Sequence, residues 1–163
     1  MPDAPLKFAD LVKQELILPD LDAGDRTDAL RQMAQMLVDA GYGEPTFVDA
    51  ILDREANHPS ALPMPGHKIA IPHADATHVR RSAILFARLC RPVAFQSMGD
   101  PGQTLQVRLI SMFALKEKHL IGDLLETLIT VYQDNQVLDA ILSAPDGASI
   151  YTLLRENVNK QCS

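Results

Sequence analysis

Hydrophobic residues change their spacing twice along this chain. In "TDALRQMAQMLVDAG", Leu30, Met33, Ala34, Leu37 and Val38 follow at gaps of 3, 1, 3 and 1, which is one face of an α-helix. Asp25 or Thr27 can cap this helix and Gly41 ends it. A second helix is predicted from Pro45 through "PTFVDAILDREANH", with Phe47, Val48, Ile51 and Leu52 as its apolar face. Ahead of both, "ELILPDLDAG" reads as a short strand, Glu15–Leu18, entering a turn at Pro19 and Gly24.

Pro59, Pro63, Pro65 and Gly66 exclude regular helix over 59–66 and predict a loop. Beyond it the period falls to that of strands. Lys68–Ile71 and Ser82–Leu89 are predicted strands; "RPVAFQSMGDPGQ" predicts a short strand and a turn at Asp100-Pro101-Gly102. The longest strand is predicted at 105–115. There Leu105, Val107, Leu109, Ser111 and Phe113 fall on one side, and Ile110, Met112 and Ala114 on the other. A strand apolar on both sides belongs in the middle of a covered sheet. Helical spacing then returns over 117–132, 135–144 and 147–158, and "NKQCS" reads as a fraying end. The expected fold is α/β: a single mixed sheet of about five strands flanked by helices, in one domain spanning 1–163 with an ordered core of about 8–158.

Composition narrows the function. The chain has 163 residues, 47% hydrophobic, with no Trp and a net charge of −6. Stacking platforms and phosphate-neutralising surfaces are therefore scarce, which argues against nucleic acid. The charge is uneven. Residues 1–67 hold five basic and twelve acidic residues, whereas residues 68–163 hold ten and nine. Lys68, Arg80, Arg81, Arg88 and Arg91 lie within 68–91 beside the single acid Asp75, which is either an ordinary solvated surface or a positive field suited to an anion. Cys90 and Cys162 form no zinc spacing and suggest a reducing compartment. No apolar run is long enough to cross a bilayer and no signal peptide is visible, so a cytoplasmic location without direct membrane insertion is expected.

Four of the five histidines, His58, His67, His73 and His78, lie at gaps of 9, 6 and 5. None of these gaps makes a metal-binding pattern on a helix, and no metal or other cofactor is expected. His58, His67 and His78 are read as surface histidines. His73 differs, because "HKIAIPHAD" runs an apolar strand into Pro72 and places the imidazole at the strand end. Proline has no N–H, so ladder pairing is expected to stop there, and strand ends are where sites in α/β sheets form. A neutral imidazole is nucleophilic at neutral pH. There is no GxGxxG, no phosphate-binding GxxxxGK[ST] loop and no hydrolase elbow. The role left to a lone reactive histidine is carriage of a group, and imidazole is well suited to phosphoryl. His119, in "LKEKHLIGDLLETLI", is expected in the first turn of an amphipathic helix, where anions are favoured, flanked by Lys116 and Lys118. By themselves His119 and Arg54 read as solvated surface residues.

Together, "DREA…IAIPHAD…KHL" resembles enzyme IIA of the sugar phosphotransferase system, mannitol–fructose class, and within it is most similar to galactitol-type IIA subunits. The resemblance covers roughly residues 8–157, with 19 positions from Arg54 to His73 and 46 from His73 to His119. It departs at Lys68, where many members carry glycine, and at Ala74, where they carry glycine or another small polar residue; neither change removes a functional group. The resemblance implies a phosphotransferase component whose His73 accepts phosphoryl from the carrier protein HPr, with Arg54 and His119 contacting the group. It implies onward transfer to a cysteine of a IIB subunit, and indirect service to a membrane IIC permease that takes up a sugar or polyol. An alternative within the resemblance is a regulatory module whose phosphorylation state gates a partner protein.

Overall fold

The computed structural model describes residues 8–162, with side chains described from residue 10 to residue 160. A short helix α1 (Phe8–Leu11) and a 3₁₀ turn (Gln14–Leu16) lead into strand β1 (Ile17–Leu21). The strand expected at Glu15–Leu18 therefore begins two residues later and includes Pro19. Helix α2 (Arg26–Asp39) follows, and Asp25, not Thr27, is its cap: the Asp25 carboxylate accepts the Asp28 N–H at 2.8 Å. Gly41 ends the helix with φ +87°, a left-handed conformation that glycine adopts at least cost. Helix α3 spans Phe47–Asn57, starting after Thr46 rather than at Pro45.

The loop expected at 59–66 contains a two-residue strand, β2 (Ala61–Leu62), which pairs antiparallel with β3 (Lys68–Ala70). No run of two residues has a readable period, so this strand was silent in the sequence. The strands expected at Ser82–Leu89 and near Val93 are one strand, β4 (Ala83–Ser97). It survives Pro92 because its register against β5 (Asp100–Ala114) shifts between Arg88 and Val93, an irregularity where proline's missing N–H breaks no ladder bond. The turn expected at Asp100-Pro101-Gly102 is corrected to Met98-Gly99, where Gly99 has φ +88°; those three residues open β5 instead.

The register shift also changes the faces of β5. Leu105 and Val107 pack with Ile110, Met112 and Ala114 on the α2–α3 side, while Leu109 and Phe113 face the C-terminal helices. The even alternation expected over 105–115 is thus broken between Val107 and Leu109. β1 and β4 run parallel, β4 and β5 form a long antiparallel hairpin, and β5 pairs parallel with β3. β2 meets β4 at Ser97, so β4, β5, β3 and β2 close on one another near the hairpin tip. The result is the expected single mixed five-stranded sheet flanked by helices.

One core cluster lies between the sheet and α2–α3, with Leu30, Met33, Leu37, Phe47 and Ile51. The other lies beneath three C-terminal helices, α4 (Ile121–Tyr132), α5 (Asn135–Ser143) and α6 (Gly147–Cys162). α6 continues through Cys162, so the fraying expected at "NKQCS" is absent from 159–162. His119 belongs to a separate 3₁₀ turn, Lys118–Leu120, ahead of α4 rather than within its first turn. Four residues, 115–118, separate that turn's centre from the end of β5, and a tight 3₁₀ turn completes the reversal. No helix among the described residues is long and apolar enough to cross a membrane.

Candidate functional site

The site forms where β3 ends. Ile71 donates its N–H to the Ser60 carbonyl at 3.1 Å, and the Pro72 carbonyl accepts the Phe113 N–H at 2.9 Å. Pairing therefore does not stop at Pro72: one parallel bridge, His73 to Phe113, continues along the edge of β5. Proline removes a donor but leaves its acceptor, and the chain uses that acceptor to fix the residue that follows. His73 sits there half-buried, its Nδ1 3.2 Å from the Ile71 carbonyl.

A carbonyl oxygen only accepts, so Nδ1 carries the proton and Nε2 holds the lone pair when the ring is neutral. Burial pushes the His73 pKa below its ordinary value; the Ile71 carbonyl opposes this and the Arg54 charge adds to it. The ring is accordingly neutral at neutral pH, with its nucleophilic nitrogen defined.

His73 lines a cavity of about 240 Å³ with Arg54, Glu55, His58, Pro59, Ser60 and Met98. The C-terminal part of α3 brings Arg54, Glu55 and His58 together. Arg54 lies in the last turn of α3 and His58 caps the helix just beyond it, so both reach the cavity from this end, whereas Glu55 turns inward and is buried. Met98, from the hairpin tip, is the exposed large hydrophobic residue among those described, at 40%. A second cleft of about 390 Å³ adjoins the first and shares Arg54 and His58; Asp53, Asp75 and His78 also line it.

The structure thus brings Arg54 and His73 to one cavity. His119 does not line it. Its turn is nevertheless tied to the chain beyond His73, because Lys118 Nζ pairs with Asp75 at 3.3 Å. A second tie holds the connection from β5: Ser82 donates its hydroxyl to Glu117 at 2.6 Å and accepts the Lys116 N–H at 3.0 Å.

The basic residues of 68–91 are committed elsewhere and none lines the cavity. Arg80 pairs with Glu44 and Arg91 with Asp22; Arg81 donates to the Ala40 carbonyl, and Lys68 to the Met64 carbonyl. Arg88 is buried and donates to the carbonyls of Pro19, Ile141, Leu142 and Ala144. None of those five residues supplies a positive field to the cavity; the charge acting on His73 is that of Arg54. Among the described residues no three of His, Cys, Asp and Glu gather as metal ligands. His67 pairs with Asp139 and His78 with Thr46, each at 2.8 Å.

His58 is exposed, as expected of a surface histidine, and it also lines both cavities. Its spacing of four from Arg54 was the available signal. Glu55, Ser60 and Met98 had none, since their convergence needs the α3 end, the returning loop and the hairpin tip in one place.

Residues 10–157 match the family model described as "Phosphoenolpyruvate-dependent sugar phosphotransferase system, EIIA 2". A nitrogen regulatory protein of Bradyrhizobium diazoefficiens is 28% identical over 150 residues, 91% of this chain and 95% of that protein. A galactitol-specific EIIA component of Escherichia coli is 27% identical over 122 residues, 75% of this chain and 81% of its own. The fold is similar to that of the mannitol enzyme IIA solved in complex with phosphorylated mannitol enzyme IIB from Escherichia coli. That match has a TM-score of 0.72 and 25% identity, and covers 87% of this chain and 95% of the other.

Proposed function

The chain belongs to the EIIA 2 family of the phosphoenolpyruvate-dependent sugar phosphotransferase system, a family of phosphotransferase components, and from that premise we propose that it carries phosphoryl on Nε2 of His73. The group would come from the phosphohistidine of HPr and pass to a cysteine of a IIB subunit. The Escherichia coli neighbour solved with a phosphorylated IIB protein supports this order. One observation carries the reading: the Nδ1–H of His73 is spent on the Ile71 carbonyl, leaving Nε2 as the free nucleophile of a ring that shares its cavity with Arg54.

In the first step the Nε2 lone pair forms the new N–P bond while the donor's P–N bond breaks, its electron pair returning to the donor ring. The His73 Nδ1–H stays where it is, so no proton needs to move. The charge that spreads over the three phosphoryl oxygens meets the Arg54 guanidinium, whose planar fork can hold two of them. In the second step a thiolate sulfur forms the S–P bond and the N–P electrons return to Nε2. His119 is proposed to complete the surroundings of the group, from the turn that Lys118 and Asp75 hold beside the strand end.

The galactitol-specific relative supports a sugar or polyol system, in which the chain would serve a IIC permease indirectly from the cytoplasm. The nitrogen regulatory relative favours a second reading, in which phosphorylation of His73 gates a regulatory partner. Transfer assays separate them. Incubation with phosphoenolpyruvate, enzyme I and HPr tests loading, and addition of a galactitol-type IIB protein tests onward transfer. Loading without onward transfer to any IIB of the class favours regulation.

A further inference from the structure

Ser60 differs from the other buried polar residues. It is 3% exposed, yet its hydroxyl has no hydrogen-bond partner. Ser111, at a similar depth, shares its hydroxyl with Tyr132 at 2.8 Å, and the buried Arg88 spends its guanidinium on carbonyls. A hydroxyl removed from water without a partner is unfavourable, and native proteins seldom keep one without a use.

The backbone around Ser60 is fully engaged. Its N–H donates to Glu55 Oε1 at 3.1 Å and its carbonyl accepts the Ile71 N–H at 3.1 Å. Ile71 in turn accepts His73 Nδ1–H through its own carbonyl. One residue, Ile71, thus holds Ser60 on one side and the imidazole on the other, and Ser60 lines the cavity that His73 lines. The Glu55 carboxyl is buried, which raises its pKa; the neighbouring Ser60 hydroxyl and N–H, and then Arg26, oppose the rise. The hydroxyl is thus close enough to that carboxyl to hold its pKa down, yet it makes no hydrogen bond of ordinary geometry in the unloaded protein.

We propose that the Ser60 hydroxyl donates a hydrogen bond to the phosphoryl group on His73, a contact made only while the group occupies the cavity. The inference rests on the phosphocarrier reading above. Phosphoryl oxygens accept and do not donate, so the one hydroxyl proton points to the anion. The Ser60 backbone keeps its place because its N–H and carbonyl are both tied down, so rotation about one bond is all that turns the hydroxyl to the group. Arg54 is exposed on α3 and long; Ser60 is short and rigidly held, and gives the group a fixed point against which the mobile guanidinium closes.

The test uses the full chain, its Ser60→Ala variant and its Ser60→Thr variant, each loaded with phosphoenolpyruvate, enzyme I and HPr. Wild type should carry one phosphoryl group on His73. Ser60→Ala should melt close to wild type, because the lost hydroxyl makes no hydrogen bond of ordinary geometry in the unloaded protein. Its phosphohistidine ³¹P resonance should shift, and its loading rate should fall on the order of tenfold or more, the scale of one hydrogen bond to a charged group. Ser60→Thr retains the hydroxyl and should recover the resonance and the rate. A Ser60→Ala protein with the wild-type ³¹P resonance and loading rate overturns the inference while leaving the carrier reading intact. A wild-type chain that takes no phosphoryl on His73 overturns both.

Discussion

His73 Nδ1 lies 3.2 Å from the carbonyl oxygen of Ile71, two residues earlier in the same chain. The contact is local, but its orientation depends on distant partners. Ile71 is held by Ser60, and Pro72 is held by Phe113 of β5. The imidazole is consequently oriented by backbone groups from three segments rather than by another side chain. That makes its tautomer a property of the fold.

The first prediction follows from protonation. Burial, with Arg54 in support, lowers the His73 pKa. A ring NMR titration should place His73 below the ordinary histidine value of about 6.5. Loading by HPr should be insensitive to pH near neutrality and fall only on acidification. Arg54→Ala removes a nearby positive charge and should move the His73 pKa upward. A downward move, or none, contradicts the assigned electrostatics.

The same shift has a consequence for stability. The unfolded chain binds a proton at His73 near the ordinary value and the folded chain binds it only at lower pH. Between those two pKa values the unfolded state holds more protons, so stability rises with pH across that window. The contribution is present above the unfolded value and is lost as pH falls through the folded one. Urea unfolding of wild type and His73→Ala should show a smaller pH slope for the variant below about pH 6.5. Identical slopes would exclude the histidine as a contributor.

Arg54 tests the geometry of charge. Arg54→Lys keeps a cation and loses the planar fork. Because Arg54 is exposed at the end of α3, folding should be unchanged. Phosphoryl transfer measured by rapid quench should slow on the order of tenfold or more, the cost of one charge-assisted hydrogen bond. Equal rates would return Arg54 to the protein surface.

His119 should behave differently from His73. His119→Ala should still load one phosphoryl group on His73, and both its loading and its transfer to a IIB protein should slow, by at most on the order of 100- to 1000-fold. Phosphate on His119 itself, read by peptide mapping of the loaded protein, would overturn the division of roles; wild-type rates in both directions would remove His119 from the site.

Arg88 carries a structural prediction. It is 9% exposed and donates to three carbonyls at the end of α5 and to Pro19 of β1. Arg88→Met fills similar volume but leaves those carbonyls without their donor, at a cost on the order of 3 kcal/mol in urea unfolding. Loading of His73 should be unaffected below the transition, since Arg88 lies outside the cavity.

The helices were legible because each shows one apolar stripe to one layer, as Leu30, Met33 and Leu37 do in α2. The end of β3 was legible because proline marks it. Less could be read where long-range pairing decides. β4 absorbs Pro92 only because β5 changes register opposite it, and β2 is a strand only because β3 and Ser97 pair with it. The site shows the same division. His73 carried its own signal in the apolar strand that ends at Pro72, whereas Arg54 was reached only through the family resemblance. Ser60 and Glu55 meet His73 only once the loop after α3 has returned along β3. Arg88 looked like part of a positive field because charge alone does not reveal burial.

The central claim is that Nε2 of His73 carries the phosphoryl group, and one measurement addresses it directly. The chain, labelled with ¹⁵N in its histidine rings, is loaded with phosphoenolpyruvate, enzyme I and HPr. The ring resonances and the ³¹P coupling are then read. The account predicts one phosphoryl group per chain, on His73, coupled to Nε2, with Nδ1 still protonated against the Ile71 carbonyl. Phosphorus coupled to Nδ1 of His73, or to a ring nitrogen of any other histidine, would contradict it.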